Sequence, residues 1–316
     1  MDWLTQTFGE QSIPWLLISS VVALLSGFLS SWLTYRFIKR QEIIDQARWQ
    51  GEIRKEVEVY LGDKSAEREY NLEARKRLYH AIGPLRFQLV IACRDAATRI
   101  GNHGLLKRYV MTMDSYYGQN TLYRLLRPLA IAELIEQQIT YADFSVDRSA
   151  IALLRFKRAV HMALTDGDAI LDHPKANWSS EVEHLFSGTL SSLANSLIIE
   201  DEDVSNKKLP MHYHEFEALL EDPRNLTLFS PLAFILHNFN ISDKPIFWAR
   251  LVCFGYICNE YVRQAGNAIG FASSPFDLDK LLSISQDDYI LANIEGYKKV
   301  FQSLADIGLS AKEISG

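Results

Sequence analysis

The chain has 316 residues and a formal net charge of −6, with 48% hydrophobic and 23% charged residues. This composition is typical of a packed globular protein and excludes a largely disordered chain. The acidic balance argues against a dedicated nucleic-acid-binding protein, so no nucleic-acid partner is expected. Three cysteines, Cys93, Cys253 and Cys258, fit no zinc or disulfide spacing and are predicted to be reduced and buried.

The first predicted element is a transmembrane helix over residues 13–38, which follows a short extracytoplasmic segment, residues 1–12. No charged residue occurs from Gln11 to Tyr35, and at ~1.5 Å per residue this run exceeds the ~30 Å hydrocarbon core of a bilayer. Lys and Arg follow the run and do not precede it, which predicts an outside N terminus and a cytoplasmic C-terminal domain at the inner or plasma membrane. The residues expected at the membrane interface are Trp15, Trp32, Tyr35, Arg36, Lys39 and Arg40.

Small side chains recur along one face of this helix. The set comprises Ser19, Ala23, Gly27 and Ser31, with Ser26 and Ser30 on the adjacent face. Small residues let helix backbones approach closely within lipid. The stripe therefore predicts a homo-oligomer that assembles through the anchor, and the alternative is that these residues are tolerated and pack against nothing.

Residues 39–100 are predicted to form a juxtamembrane stalk and a helical hairpin. Apolar residues recur near helical spacing among dense charges after the anchor, which is typical of an amphipathic helix or a coiled coil. Two helical runs, residues 65–82 and 85–100, are separated by Gly83-Pro84, a pair that usually ends or kinks a helix.

Residues 101–316 are predicted to form a cytoplasmic helical domain. Helices are expected over residues 120–139, 147–164, 187–199, 225–238, 243–264 and 286–305. Asn120, Asp147 and Asp243 are the expected first residues of three of them. An acidic segment near 200–210 reads as an exposed linker that could divide two lobes. No long alternating pattern predicts a strand, so the fold class is all-α.

The densest polar cluster contains His212, His214, Glu215 and Glu217. In a helix, each histidine would lie three residues before a glutamate, a spacing that can place both side chains on one metal ion. The two pairs would lie on different faces, and a third ligand such as His184 or His237 would be needed. The alternative is a solvated helix start with no metal.

Two further stretches have competing interpretations. The segment from His161 to His173 includes Asp166, Asp168 and Asp172, which suits either phosphodiester chemistry with a divalent metal or a turn that ends a helix. The aromatic residues from Phe229 to Tyr261 suit either a ligand pocket or a hydrophobic core.

The sequence contains no phosphate-binding loop, dinucleotide fingerprint, nucleophile elbow or zinc-protease motif. No catalytic residue or cofactor is therefore predicted, and a non-enzymatic role is favoured. The leading hypothesis is a single-pass membrane sensor or effector that binds a cytoplasmic protein or small molecule, self-associates, and could perturb the bilayer. The alternatives are a membrane-tethered metal-dependent hydrolase and a membrane scaffold protein.

Overall fold

The computed structural model describes residues 64–106, 110–140, 148–201, 207–266, 270–271 and 275–309, together with Ser26, Gly27, Ser30, Arg36 and Lys39. The chain divides into two units, Met1–Tyr70 and Asn71–Gly316. Helices dominate the described ranges, which confirms the all-α prediction. Of the helices within those ranges, none combines the length and the apolar content that a membrane crossing requires.

The predicted transmembrane helix and stalk lie outside the described residues, apart from the five single positions. Each of these five residues has helical backbone and is exposed. The Ser30 hydroxyl donates to the Gly27 carbonyl at 3.0 Å, a bond that satisfies this hydroxyl within its own helix. The anchor and its small-residue stripe stay predictions.

Helix α1, Lys64–Leu106, replaces the predicted hairpin with one continuous helix that contains Pro84. A proline inside a helix removes one backbone hydrogen bond and costs ~3 kcal/mol. Buried apolar side chains on both sides of Pro84, among them Ile82 and Leu85, hold the helix against the core and offset this cost. The helix also continues beyond residue 100, where the second predicted run ends. There Gly104 lies so near Trp248 that an added Cβ would come within 2.7 Å of the indole.

Helices α2, Tyr116–Thr140, and α3, Arg148–Thr165, follow. Helix α2 begins four residues before the predicted start because Ser115, not Asn120, caps it: the Gly118 N–H donates to Ser115 Oγ at 3.2 Å. Asn120 is buried one turn inside the helix.

The segment predicted as a linker forms a small hairpin instead. Helix α4, Ser187–Asn195, is followed by strand β1, Ile198–Glu200, which pairs antiparallel with strand β2, Lys208–Pro210. The predicted helix over residues 187–199 therefore ends early. Residues on both sides of the hairpin belong to one hydrophobic core.

The remaining elements are mostly short. They are α5, Tyr213–Leu219; a 3-10 helix, Pro223–Phe229; α6, Leu232–Leu236; α7, Pro245–Tyr261, with a π-helical end, Val262–Gly266; α8, Leu278–Ser283; α9, Asp288–Ala292; and α10, Ile294–Leu309. The predicted helix over residues 225–238 is split at Pro231. Helices α3, α7 and α10 pack against one another at the centre, and nearly every side chain of α7 is buried.

Candidate functional site

A cavity of about 420 Å³ lies between α1, α2 and the segment that enters α5. Its volume falls within the ~300–1,000 Å³ typical of small-molecule sites. Four of its lining side chains are basic or can become so, namely Arg124, Arg127, His212 and His214. The wall also contains Asp95 from α1.

One face of α2 provides four of the nine residues that line this wall. Asn120, Tyr123, Arg124 and Arg127 are spaced by three or four residues, so they share one side of the helix. The sequence alone predicts no function for this face. The sequence feature that could have indicated it is the presence of two arginines and a tyrosine at helical spacing in a helix whose other residues are mostly apolar.

The electrostatics of the cavity are dominated by unpaired cations. Neither Arg124 nor Arg127 forms an ion pair within the described part of the chain, and the Arg127 Nε is buried with no hydrogen-bond partner there. The Arg127 guanidinium stands 5.7 Å from the centre of the Tyr123 ring. The one carboxylate of the wall, Asp95, already contacts Arg94 at 3.0 Å. The cavity therefore has a positive potential that favours an anion.

A third arginine stands behind this wall and orients it. Arg99 is buried and donates to Asn120 Oδ1 at 2.6 Å and to Thr121 Oγ1 at 3.1 Å, while its guanidinium stacks on Tyr117 at 4.5 Å. Burial lowers the pKa of Arg99, and the neighbouring charge of Arg124 lowers it further. Arg99 thus fixes the orientation of the Asn120 amide. It also adds a positive charge behind the cavity wall.

The two histidines reach the cavity because His212 is not helical. Its backbone is extended at the N-cap of α5, and its N–H donates to Glu215 Oε2 at 2.6 Å. The rings of His212 and His214 stack with centroids 5.9 Å apart. The prediction that the two histidine–glutamate pairs would lie on different faces assumed a helix that includes His212, and the helix begins one residue after it.

The predicted metal ligands have separate roles around this turn. Glu215 caps α5, and Glu217 is exposed outside the cavity wall. The two proposed third ligands lie elsewhere: His237 accepts the Met113 N–H, and His184 packs against Trp178. Within the described ranges, no three His, Cys, Asp or Glu side chains form a group that could hold a metal ion. Metal binding through His212 and His214 stays a prediction.

Aromatic contacts fix the start of α5 against α2. The Tyr123 hydroxyl donates to the Met211 carbonyl at 2.9 Å, and its ring meets the rings of Tyr213 at 5.3 Å and Phe216 at 5.4 Å. Because edge-to-face aromatic pairs and a buried hydrogen bond restrict this turn, the cavity wall is largely preformed.

The second predicted polar cluster does not assemble into a site. His173 contacts Asp287 at 3.0 Å, while its Nδ1 accepts the Lys175 N–H, so Nε2 carries the proton that is donated to the carboxylate. Asp287 Oδ1 also accepts the N–H groups of Tyr289 and Ile290 at the start of α9. Burial opposes ionisation of Asp287, but these hydrogen bonds outweigh it and lower its pKa.

The other members of that stretch lie in a turn. Asp168 begins a 3-10 turn, Asp168–Ile170, and Asp172 follows it with a left-handed backbone. The turn interpretation therefore describes them better than a shared metal. The aromatic stretch is likewise core: Phe247, Trp248 and Phe254 are fully buried, whereas Phe234 is 62% exposed.

Comparison with known proteins gives no relative: no family model, no curated protein and no solved structure matches this chain. The functional assignment therefore rests on the cavity. Two unpaired guanidinium groups beside stacked imidazoles and tyrosines can bind an anionic group and hold an attached organic moiety.

Proposed function

We propose that this protein is a membrane-anchored helical sensor or effector whose cytoplasmic domain binds a phosphate-bearing small molecule in the basic cavity. The observation that carries the proposal is the pair Arg124 and Arg127, both without an ion-pair partner in the described ranges and both lining one cavity. Unpaired cations that repel each other disfavour the empty cavity, and an anion relieves this repulsion.

The chemistry of the side chains selects the ligand class. A guanidinium presents planar N–H donors that match phosphate oxygens in pairs, and two such groups match the charge of about −2 on a phosphate monoester at neutral pH. The rings of Tyr213, His212 and His214 add flat surfaces for the organic part of the ligand.

The membrane part of the proposal rests on the sequence. The uncharged run, its flanking basic residues and the small-residue stripe favour a single-pass anchor that self-associates in the lipid bilayer. Ligand binding in the cytoplasm would then change the assembly of the anchors. No arrangement of side chains within the described ranges supports the hydrolase or the scaffold alternative as the cavity arginines support ligand binding.

Isothermal titration of pyrophosphate into the detergent-solubilised full chain tests the cavity. Wild type should bind one pyrophosphate per chain. The double variant Arg124→Gln with Arg127→Gln should lose about a hundredfold in affinity or more, because each charge-assisted hydrogen bond contributes ~1.5–3 kcal/mol.

Arg158→Gln is the matched control, because Arg158 is an exposed arginine on α3 outside the cavity. It should bind pyrophosphate as wild type does, and chloride at equal ionic strength should give no saturable heat. If Arg158→Gln, which removes one charge, lost half or more of the binding free energy that the cavity variant loses by removing two, pyrophosphate would respond only to overall charge, and the proposal would be contradicted.

A further inference from the structure

Arg250 lies in the middle of α7 and is fully buried. Its Nη1 donates to the Asp166 carbonyl at 2.7 Å and to the Ala163 carbonyl at 3.4 Å. The Ala163 carbonyl lies in the last turn of α3 and the Asp166 carbonyl directly follows the helix, where backbone acceptors have no partner within the helix. One nitrogen of Arg250 therefore closes the end of a neighbouring helix.

The other edge of the same guanidinium is unused. Nε and Nη2 are both buried, and no residue of the described ranges accepts a hydrogen bond from either. The N–H groups of these two atoms point in the same direction and can donate to both oxygens of one carboxylate; we call this pair of donors the fork of Arg250. Burial lowers the pKa of Arg250 to about 10, which still leaves it charged at neutral pH. A buried charge without a counterion is costly.

The nearby acid does not serve as that counterion. Glu183 Oε2 accepts the N–H groups of Ile246 and Phe247, at 2.8 and 3.2 Å, at the start of α7. The carboxylate of Glu183 is therefore engaged at the start of a helix, and it accepts no hydrogen bond from Nε or Nη2 of Arg250.

A buried histidine packs against the same tryptophan side chain as Arg250. His184 is buried, and its Nε2 has no partner in the described part of the chain. Its ring centre lies 4.9 Å from that of Trp178, and the Arg250 Cζ lies 5.5 Å from the same indole. Trp178 is 45% exposed, whereas Arg250 and His184 are both buried.

We propose that Arg250 and His184 form a second binding site, which takes the carboxylate group of a small monocarboxylate beneath Trp178. The fork of Arg250 would hold both carboxylate oxygens, and the His184 Nε2–H would donate to one of them. Movement of the Trp178 side chain would admit the ligand.

Charge balance favours a carboxylate over a phosphate at this site. Burial and the charge of Arg250 lower the pKa of His184, so its imidazole is neutral at pH 7. The site then contains one positive charge, which one carboxylate balances. A phosphate dianion would leave an excess negative charge in a buried region.

Acetate titrated into the detergent-solubilised full chain tests this site, with intrinsic tryptophan fluorescence and calorimetry as paired readouts. Wild type should show saturable changes in both. Trp178→Phe should keep the calorimetric signal and lose the fluorescence change, since Trp178 is the indole that lies against both Arg250 and His184. Phosphate at matched ionic strength should not reproduce the fluorescence change.

Two variants remove the polar groups separately. Arg250→Lys keeps the charge without the fork, and His184→Phe keeps the ring packing without Nε2; each should weaken acetate binding by about tenfold or more. If Arg250→Lys does not fold, the acetate affinity of His184→Phe tests the site by itself. Arg124→Gln with Arg127→Gln should bind acetate as wild type does, which separates this site from the basic cavity.

The absence of saturable acetate binding to wild type would overturn the proposal. Unchanged acetate affinity in His184→Phe, or loss of acetate binding only in the cavity double variant, would overturn it as well. None of these results would alter the pyrophosphate test of the basic cavity.

Discussion

Two clusters of histidine and acid residues look alike in the sequence and differ in the structure. At His173 and Asp287, the imidazole and the carboxylate bond to each other and to backbone N–H groups, so the cluster satisfies itself. At His212 and His214, the rings stack beside two arginines that have no ion pair in the described ranges. The comparison indicates that the first cluster stabilises the fold and the second is available to a ligand.

The largest expected effect is on stability at the first cluster. Asp287→Ala removes the His173 contact and the oxygen that accepts two N–H groups at the start of α9. We therefore expect the free energy of unfolding to fall by about 3 kcal/mol and the Tm by roughly 10 °C. Thermal unfolding followed by circular dichroism measures it. Asp288→Ala, an exposed acid in the same turn, is the control and should cost less than about 1 kcal/mol. Equal costs would contradict a special role for Asp287.

The same pair predicts how stability depends on pH. The pKa of Asp287 is lowered from its usual value of 3.8, so its ionised form stabilises the fold fully above that value. As pH falls through the lower folded-state pKa, this contribution disappears. The Tm difference between wild type and Asp287→Ala should thus be constant from neutral pH to about 5 and shrink below about 4. A Tm difference that grew as the pH fell would show that the ionised form of Asp287 does not stabilise the fold.

A smaller effect is expected at the anchor, where the small-residue stripe predicts close helix contact. Gly27→Leu should weaken self-association by ~1 kcal/mol, and Ala23→Leu with Gly27→Leu should weaken it further. Light scattering of the detergent-solubilised protein gives the assembly mass, and Leu24→Val is the matched control. A monomeric wild type, or a double variant with the wild-type mass, would rule out this face as the contact.

The smallest stability effect is expected at the cavity itself. Replacing Arg124 and Arg127 by glutamine removes two cations that repel each other and leaves no carboxylate of an ion pair behind. We expect the free energy of unfolding at low salt to be unchanged or to rise by less than about 1 kcal/mol. Chemical denaturation at low ionic strength measures this. A loss of several kcal/mol would indicate that the arginines stabilise the fold.

The helices were largely predictable, and their ends were not. Apolar residues at helical spacing located α2, α3 and α7, because periodicity reports which side of a helix faces a core. Pro84 misled the prediction because tertiary packing of Leu78, Ile82 and Leu85 outweighs a local penalty. The hairpin of Ile199 with Leu209 depends on pairing across a loop, which local periodicity does not encode.

The candidate site was only half predictable. His212 and His214 stood out as a polar cluster, but their convergence depends on an extended N-cap that a helical reading of the segment excludes. Arg124 and Arg127 were visible as residues of one helix face, yet charged residues on a helix usually contact solvent or an acid. Only the structure shows that their neighbours leave them unpaired around a cavity.

The most direct measurement is a crystal structure of the full chain grown with tungstate, an anion whose anomalous signal locates it. We expect an anomalous peak in the cavity, from a tungstate whose oxygens lie within ~3 Å of the Arg124 and Arg127 guanidinium nitrogens. Tungstate bound only at exposed arginines such as Arg224, with none in the cavity, would contradict it.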